Sequence, residues 1–247
     1  QAYLEDYKGW NIMALPKLNT PTYELELPST GEKIKYRPFL VKEQKILMMA
    51  QEGQNENEIA EAMGGLVNDC TFGVVDSKTS PMFDIEYIFL KVRGKSVGDK
   101  IELNVTCPDD GETSAPVTID IDEIQVHMLE EHTNEINISD DVKVVLRYPV
   151  LSDMKNVKTD TNNVDKVFNI LNNCITSIHF GDDVYNKVDL TEKDINEFVE
   201  QFTSEQFDTM VKFFDTMPKM RHIVNVTNPK TKVTSEVVLE GLESFLE

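Results

Sequence analysis

The stretch Tyr23–Glu52, YELELPSTGEKIKYRPFLVKEQKILMMAQE, decides how the rest of the chain is read. Tyr23, Leu25 and Leu27 alternate with Glu24 and Glu26, the pattern of a half-buried strand. Pro28-Ser29-Thr30-Gly31 is a turn, and Ile34 and Tyr36 resume the alternation, so the segment predicts a β-hairpin. Pro38 has no N–H to give to a ladder, which ends the second strand near Arg37. From Val41 to Ala50 the residues are mostly good helix formers, and Ile46, Leu47 and Ala50 fall on one face of the predicted helix.

Toward the amino terminus, Met13-Ala14-Leu15-Pro16 reads as a natural translation start. Residues 1–12 are then either an upstream extension or an ordered arm carrying Trp10, and the sequence leaves both open. They hold acidic residues and no apolar core of a secretory signal. In the other direction, Ile59, Met63, Leu66, Val67 and Cys70 lie on one face of a second helix. Ser80-Pro81 predicts a helix start with Ser80 as N-cap, Phe83, Tyr87 and Leu90 as its apolar face, and Lys91 and Arg93 closing it before Gly94.

Between Gly98 and Tyr148 the period is two. Ile101, Leu103 and Val105, then Val117, Ile119 and Ile121, then Val142, Val144 and Leu146 each share a face, predicting four or five antiparallel strands. Helical spacing returns at Val164, Val167, Phe168, Leu171 and Ile175. Thr191-x-x-Asp194, a weaker Asp-bearing relative of the capping box, and Thr203-x-x-Gln206, a capping box, stand ahead of two helices that meet at a corner, and Pro218 ends the second. Ile223 to Thr227 and Val233 to Leu239, about a turn at Asn228-Pro229-Lys230, predict a closing hairpin. No solenoid-length repeat is evident. The expected fold is therefore α+β. A helical body over 13–94 and 153–247 is framed by amino- and carboxyl-terminal hairpins, with an antiparallel β module inserted at 95–152.

Composition narrows the function. Lys and Arg total 24 against 44 Asp and Glu, a net charge of −20. Such a surface does not suit duplex nucleic acid, where phosphate neutralisation drives binding, nor an anionic membrane. It suits solubility, or docking on a basic protein surface. No apolar run approaches the roughly 18 residues that span a bilayer. Cys70, Cys107 and Cys174 are odd in number and far apart, which fits a reduced compartment, with Cys70 and Cys174 as small core residues.

Chemical motifs are sparse. Cys107-Pro108-Asp109-Asp110-Gly111 has the outline of half a zinc knuckle, but structural zinc takes about four ligands and Asp110 stands where a second cysteine belongs. A plain turn is expected there, and no metal or cofactor. His127 and His132 are five apart, outside the helical spacing that aims two imidazoles at one ion, and His179 and His222 are remote. There is no Gly-x-Ser-x-Gly elbow and no phosphate-cradling glycine loop, so no catalytic residue is assigned. A hydrolase with its site on the β module, or an adaptor holding metal through Cys107, are the competing classes. Met48-Met49, Phe213-Phe214 and Phe245-Leu246 are consecutive apolar pairs, either core or adaptable partner surface.

The words YRPFLVKEQKILMMAQE (36–52), FFDTMPKM (213–220) and LEGLESFLE (239–247) resemble the baseplate hub family of T-even-type contractile-tailed bacteriophages, its hub subunit and assembly proteins. The resemblance implies a structural or assembly role with other phage baseplate or hub proteins as partners. It implies a place in the host cytoplasm during assembly and, for a permanent component, in the tail baseplate. A virion component and a chaperone that departs remain alternatives. On the residues themselves, Tyr36, Arg37 and Phe39 around a stiff proline, with Phe245 and Leu246, make the expected docking surface. The other reading is that Tyr36 and Phe39 seal the protein's own core and the terminus folds back over them.

Overall fold

The computed structural model describes residues 18–53, 55–155 and 163–246, and only the backbone of 56, 154, 155 and 163–166. The readings of Trp10, of residues 1–12, of Met13 to Pro16 and of the Val164 side chain lie outside what it describes.

The opening hairpin is present. β1 (Tyr23–Glu26) pairs with β2 (Lys33–Tyr36) in the register Tyr23↔Tyr36 and Leu25↔Ile34. Gly31, at φ 70°, closes the turn by donating its N–H to the Leu27 carbonyl at 2.8 Å. α1 (Val41–Glu52) follows, then α2 (Glu56–Cys70), with Ile59 half-buried and Met63, Leu66, Val67 and Cys70 buried, as the spacing predicts. α1 departs from expectation. It turns Glu43, Leu47 and Ala50 inward and leaves Ile46 54% exposed.

α3 (Met82–Val97) is the central helix. Phe83, Tyr87 and Leu90 are buried, and so are Ile85, Ile88, Phe89 and Val92, because neighbours pack on almost every side. Its N-cap is Pro81, not Ser80, and Gly94 lies inside it, with Gly98 at the C-cap. Tertiary packing explains the overrun. A Cβ on Gly94 would meet Ile121 at 3.2 Å, a contact that outweighs the roughly 1 kcal/mol cost of a helical glycine. Lys91 therefore serves no helix end. It is buried and donates to the Ile121 and Ile124 carbonyls at 2.7 and 3.3 Å, holding the single-turn 3-10 helix Ile121–Glu123 against α3.

The strands of the period-two region are antiparallel as expected, and they divide between two cores. β3 (Lys100–Thr106) and β4 (Ser114–Asp120) form a hairpin whose Ile101, Leu103, Val105, Ala115 and Ile119 join α2 and α3 in the first core. β5 (Gln125–His127) adds to the closing hairpin described below. β6 (Glu135–Asn137) and β7 (Val142–Leu146) instead open a four-stranded sheet in the order β6-β7-β8-β9, completed by β8 (Ile175–Phe180) and β9 (Asp183–Asn186). Ile136, Val144 and Leu146 lie in the second core with Leu171, Ile178, Ile195, Met210 and Phe213. α4 (Leu151–Lys155) and α5 (Asn163–Cys174) stand between β7 and β8. Ile175, expected on the helix, begins β8. It is buried in either geometry, so periodicity alone could not separate them.

α6 (Glu192–Val199) and α7 (Ser204–Thr216) start on the capping boxes expected at Thr191/Asp194 and Thr203/Gln206. β10 (Lys219–Thr227) begins directly after Pro218, earlier than Ile223, and pairs with both β11 (Thr234–Glu240) and β5. The class is α+β, with hairpins near both ends.

Two corners of the fold repeat each other. The Arg37 N–H donates to the Cys70 carbonyl at 2.9 Å, and the Arg147 N–H to the Cys174 carbonyl at 2.8 Å. Arg37 pairs with Glu43 at 2.8 Å, and Arg147 grips Asp153 through two bonds of 2.7 and 2.9 Å; each carboxylate lies six residues on. Each carboxylate also accepts the N–H of the residue three before it, Leu40 at 2.7 Å and Val150 at 2.8 Å. The helices that end at the two cysteines close on Leu66-Val67-Asn68-Asp69-Cys70 and Ile170-Leu171-Asn172-Asn173-Cys174. Hairpin, arginine, helix and helix recur among the described residues, with α4 shorter than α1, and after the cysteines the chain continues into α3 in one copy and β8 in the other.

An aromatic chain joins the two cores. Tyr148 meets Phe83 of α3 edge-on at 5.0 Å and stacks with Phe213 of α7 at 5.7 Å, while the Met82 N–H donates to the Pro149 carbonyl at 2.9 Å.

Glu43 is 2% exposed. Burial alone would raise its pKa, but the bonds from Arg37, Leu40 and Lys42 outweigh burial and hold the carboxyl at about 2, below its ordinary 4.5. A depressed acid contributes stability that is full above about pH 4.5 and fades as pH falls toward 2. Glu43→Ala, which leaves Arg37 unpaired, is expected to cost about 3–5 kcal/mol at neutral pH. In urea denaturation the gap between wild type and variant should close between pH 4.5 and 2. A gap that stays constant would mean the latch carries no charge-dependent stability.

Candidate functional site

A helix that packs on a core hides its apolar stripe. α1 does the reverse. At 100° per residue Glu43, Leu47 and Ala50 share the inner arc, the outer side carries Val41, Met48 and Met49, exposed at 80, 55 and 61%, and Ile46, 54% exposed, lies on the flank beside Ala50. Lys42 and Lys45 stand among them. Scattered exposed apolar residues are ordinary, but three on the outer side of a three-turn helix with a fourth on its flank form a patch. Two of the four are methionines, whose unbranched, polarizable side chains adapt to a partner.

The patch sits on a stiff mount. Leu40 has no side-chain acceptor to cap α1, and Glu43 reaches back to the Leu40 N–H instead. The Phe39 N–H donates to Ser96 Oγ at 2.9 Å, so the strand-to-helix link is held by both α2 and α3. Lys42 bonds Glu43 at 3.0 Å and approaches Asp69 at 3.9 Å, which sets the start of α1 beside the end of α2.

The end of α2 carries an outlier. Thr71 is the C-cap, the Gly73 N–H donates to the Asn68 carbonyl at 2.8 Å and the Phe72 N–H to the Asp69 carbonyl at 3.4 Å. This is a Schellman motif, which puts the residue after the cap in the left-handed region and normally places glycine there. Phe72 occupies that position at φ 58°, with its ring 58% exposed and Val74 61% exposed nearby. A strained, outward aromatic is a functional pointer. Sequence reasoning missed it, and the only local signal was Gly73, one residue out of register.

The expected docking residues fall elsewhere than supposed. Tyr36 is 3% exposed, facing the core with Ile34 because β2 alternates, and burial raises its hydroxyl pKa to about 12. Phe245 is fully buried, because the closing 3-10 turn Leu242–Phe245 folds over the first core. Phe39 is half-buried against the same core, and Arg37 is committed to Glu43. Tyr36 and Phe245 are thus internal, and of the five only Leu246, at 45%, is plainly exposed. Among the consecutive pairs, Met48-Met49 faces out, while Phe213 is buried and Phe214 half-buried.

Cys107 is buried in the first core, and its turn is a hydrogen-bonded corner. Asp110 accepts from the Thr113 N–H at 2.9 Å, and Asp109 accepts from the Asn228 side chain at 3.0 Å, tying this turn to the one between β10 and β11. Cys70 and Cys174 are likewise buried, and burial pushes their thiols up to about 11 and about 12. Among the described residues there is no group of three or more His, Cys, Asp or Glu that could hold a metal ion, and no helix long and apolar enough to cross a membrane.

The fold is an α+β frame that leaves apolar side chains of α1 exposed. The protein-family model for the T4 bacteriophage base plate protein matches residues 20–247, and the chain belongs to that family. It is a phage baseplate structural protein, with other baseplate proteins as its partners. No curated protein and no solved structure matches it.

Two substitutions separate frame from surface. Phe245→Ala is expected to cost about 3–5 kcal/mol in urea denaturation, as a buried aromatic should. Phe72→Gly should stabilise by about 0.5–1 kcal/mol, because glycine relieves the left-handed strain but adds freedom to the unfolded chain. A loss of stability in Phe72→Gly would show that the ring packs on its own chain.

Proposed function

We propose that the protein is a subunit of the baseplate hub and acts through protein interfaces, with the outer face of α1 docking onto a neighbouring hub protein. The family match supports the baseplate, and the resemblance of residues 36–52, 213–220 and 239–247 to hub proteins supports the hub. The observation that carries the docking face is α1 itself, which buries a carboxylate and an alanine while exposing Val41, Ile46, Met48 and Met49. Covering the exposed part of four such side chains is worth on the order of 1 kcal/mol each, and the mount built by Arg37 and Glu43 lowers the ordering cost of binding. Phe39, half-buried just before α1, borders this surface.

The test is Met48→Asp combined with Met49→Asp. Both positions are exposed, so the melting temperature should hold while incorporation into baseplates falls at least about tenfold. Normal incorporation of the folded variant would sink the docking face. Mass spectrometry of purified mature particles addresses the role: a stoichiometric band means a permanent subunit, and presence only in assembly intermediates means an assembly factor. Cross-links from position 49 to proteins outside the hub would remove the hub from the proposal.

A further inference from the structure

The second core ends in an open groove on the other half of the molecule. Val142, Ile178, Phe180, Tyr185, Leu190 and Phe198 line it, enclosing about 250 Å3 between the sheet and α6. That is below the roughly 300–1,000 Å3 of small-molecule pockets and suits one or two inserted side chains. Two of the lining aromatics are half outside: Phe180 is 56% exposed and Tyr185 45%.

Beside the groove runs an unpaired edge. β9 is the last strand of β6-β7-β8-β9, and among the described residues no strand pairs with its outer side. All four of its residues are exposed. Natural edges are blunted by lysine, proline, a bulge or a cover. β9, Asp183-Val184-Tyr185-Asn186, is short and carries the charge of Asp183, but it holds neither lysine nor proline, and its pairing with β8 is regular. Lys187, next along the chain, turns inward to the Asn172 and Asn173 carbonyls at 2.8 and 2.6 Å.

The rim has one sign. Asp141, Asp182, Asp183, Asp189, Glu192 and Asp194 are all exposed and lie in or beside the lining segments, and the Gly181 N–H bonded to the Asp141 carbonyl holds two of these turns together. Lys193 leans away to Glu197 at 3.4 Å. Two copies of such a rim would repel, which disfavours self-pairing through β9.

From the edge, the groove and the rim together we infer that β9 accepts an extended segment of a partner protein as a fifth antiparallel or parallel strand. On the side that meets the groove, every second residue of the segment is apolar or basic, because Asp183 shares a face with Phe180 and Tyr185 and Asp194 lines the groove. Main-chain bonds to β9 supply affinity, the apolar side chains cover Phe180 and Tyr185, and Lys or Arg on the segment meet the carboxylates. This surface is independent of the α1 face, so either proposal can fail alone.

The probe is a short fluorescein-labelled peptide with Lys and Val taking turns at every second position and Thr between them, titrated into the full chain against a matched Glu–Val peptide. The Lys–Val peptide should bind saturably and weaken roughly tenfold or more as salt rises from about 0.01 M to about 0.15 M. Binding should slow hydrogen exchange of the β9 amides. Asp182→Lys with Asp183→Lys, both at exposed positions, should weaken the Lys–Val peptide about tenfold and narrow its advantage over the Glu–Val peptide, and Tyr185→Ser should weaken both. No saturable binding, equal binding of both peptides, or binding that leaves β9 exchange unchanged would overturn the inference. So would β9 protection that appears with protein concentration alone, which would make a second copy the occupant.

Discussion

The constraint on which the rest depends is the bond between an arginine at the end of a strand and a carboxylate in the first turn of the next helix. A chain leaving a strand must satisfy its backbone donors and turn sharply before a helix can begin. Arg37 does this by giving its N–H to α2 and its guanidinium to Glu43, while Glu43 takes the Leu40 N–H that no side chain caps. Arg147 and Asp153 solve the same problem with α5 and the Val150 N–H. Arginine suits the position because its fork bonds a carboxylate and a carbonyl at once, here Pro38 in one copy and Tyr148 in the other. A buried pair gains little over a well-packed apolar pair, so its value lies in geometry. It fixes where the helix points, and through that which side of α1 reaches solvent.

Two cores built from related corners are then joined by Phe83, Tyr148 and Phe213. The aromatic chain makes the halves one packed object without hiding either outward surface. Those surfaces differ in character. The α1 face mixes methionine and aliphatic groups with Lys42 and Lys45, whereas the groove beside β9 is rimmed by carboxylates. Surfaces of opposite charge select different partners, since like charges brought together cost free energy. Phe72 belongs to the first surface by its exposure, and its backbone strain is tolerated because the Schellman bonds over-determine the turn.

Legibility followed distance along the chain. The hairpin over Tyr23–Tyr36, the caps at Thr191 and Thr203, the helical stripe from Ile59 to Cys70 and the turn at Cys107 all rest on residues within a few positions of one another, and each stands where the spacing put it. The hairpin β8–β9 was not foreseen, because Ile175 continues a helical stripe and ITSIHF alternates poorly. The repeated corner also escaped notice. Its signature is an arginine, a nearby proline and a carboxylate six residues on, and it becomes visible only when both arginines are seen to bond a cysteine carbonyl.

The sequence by itself determined the α+β class, the hairpins near both ends, the helix starts, the acidic balance and the family resemblance, because periodicity, turn chemistry and charge are local or summed properties. Tertiary structure alone decided that α1 faces outward, that Gly94 lies inside a helix, that Tyr36 and Phe245 are core, and that the strands of 95–152 serve two cores. The physical reason is common to all four. An apolar side chain is buried or exposed according to what arrives from elsewhere in the chain, and Ile121 against Gly94 or the first core beneath Phe245 cannot be read from the residues beside them.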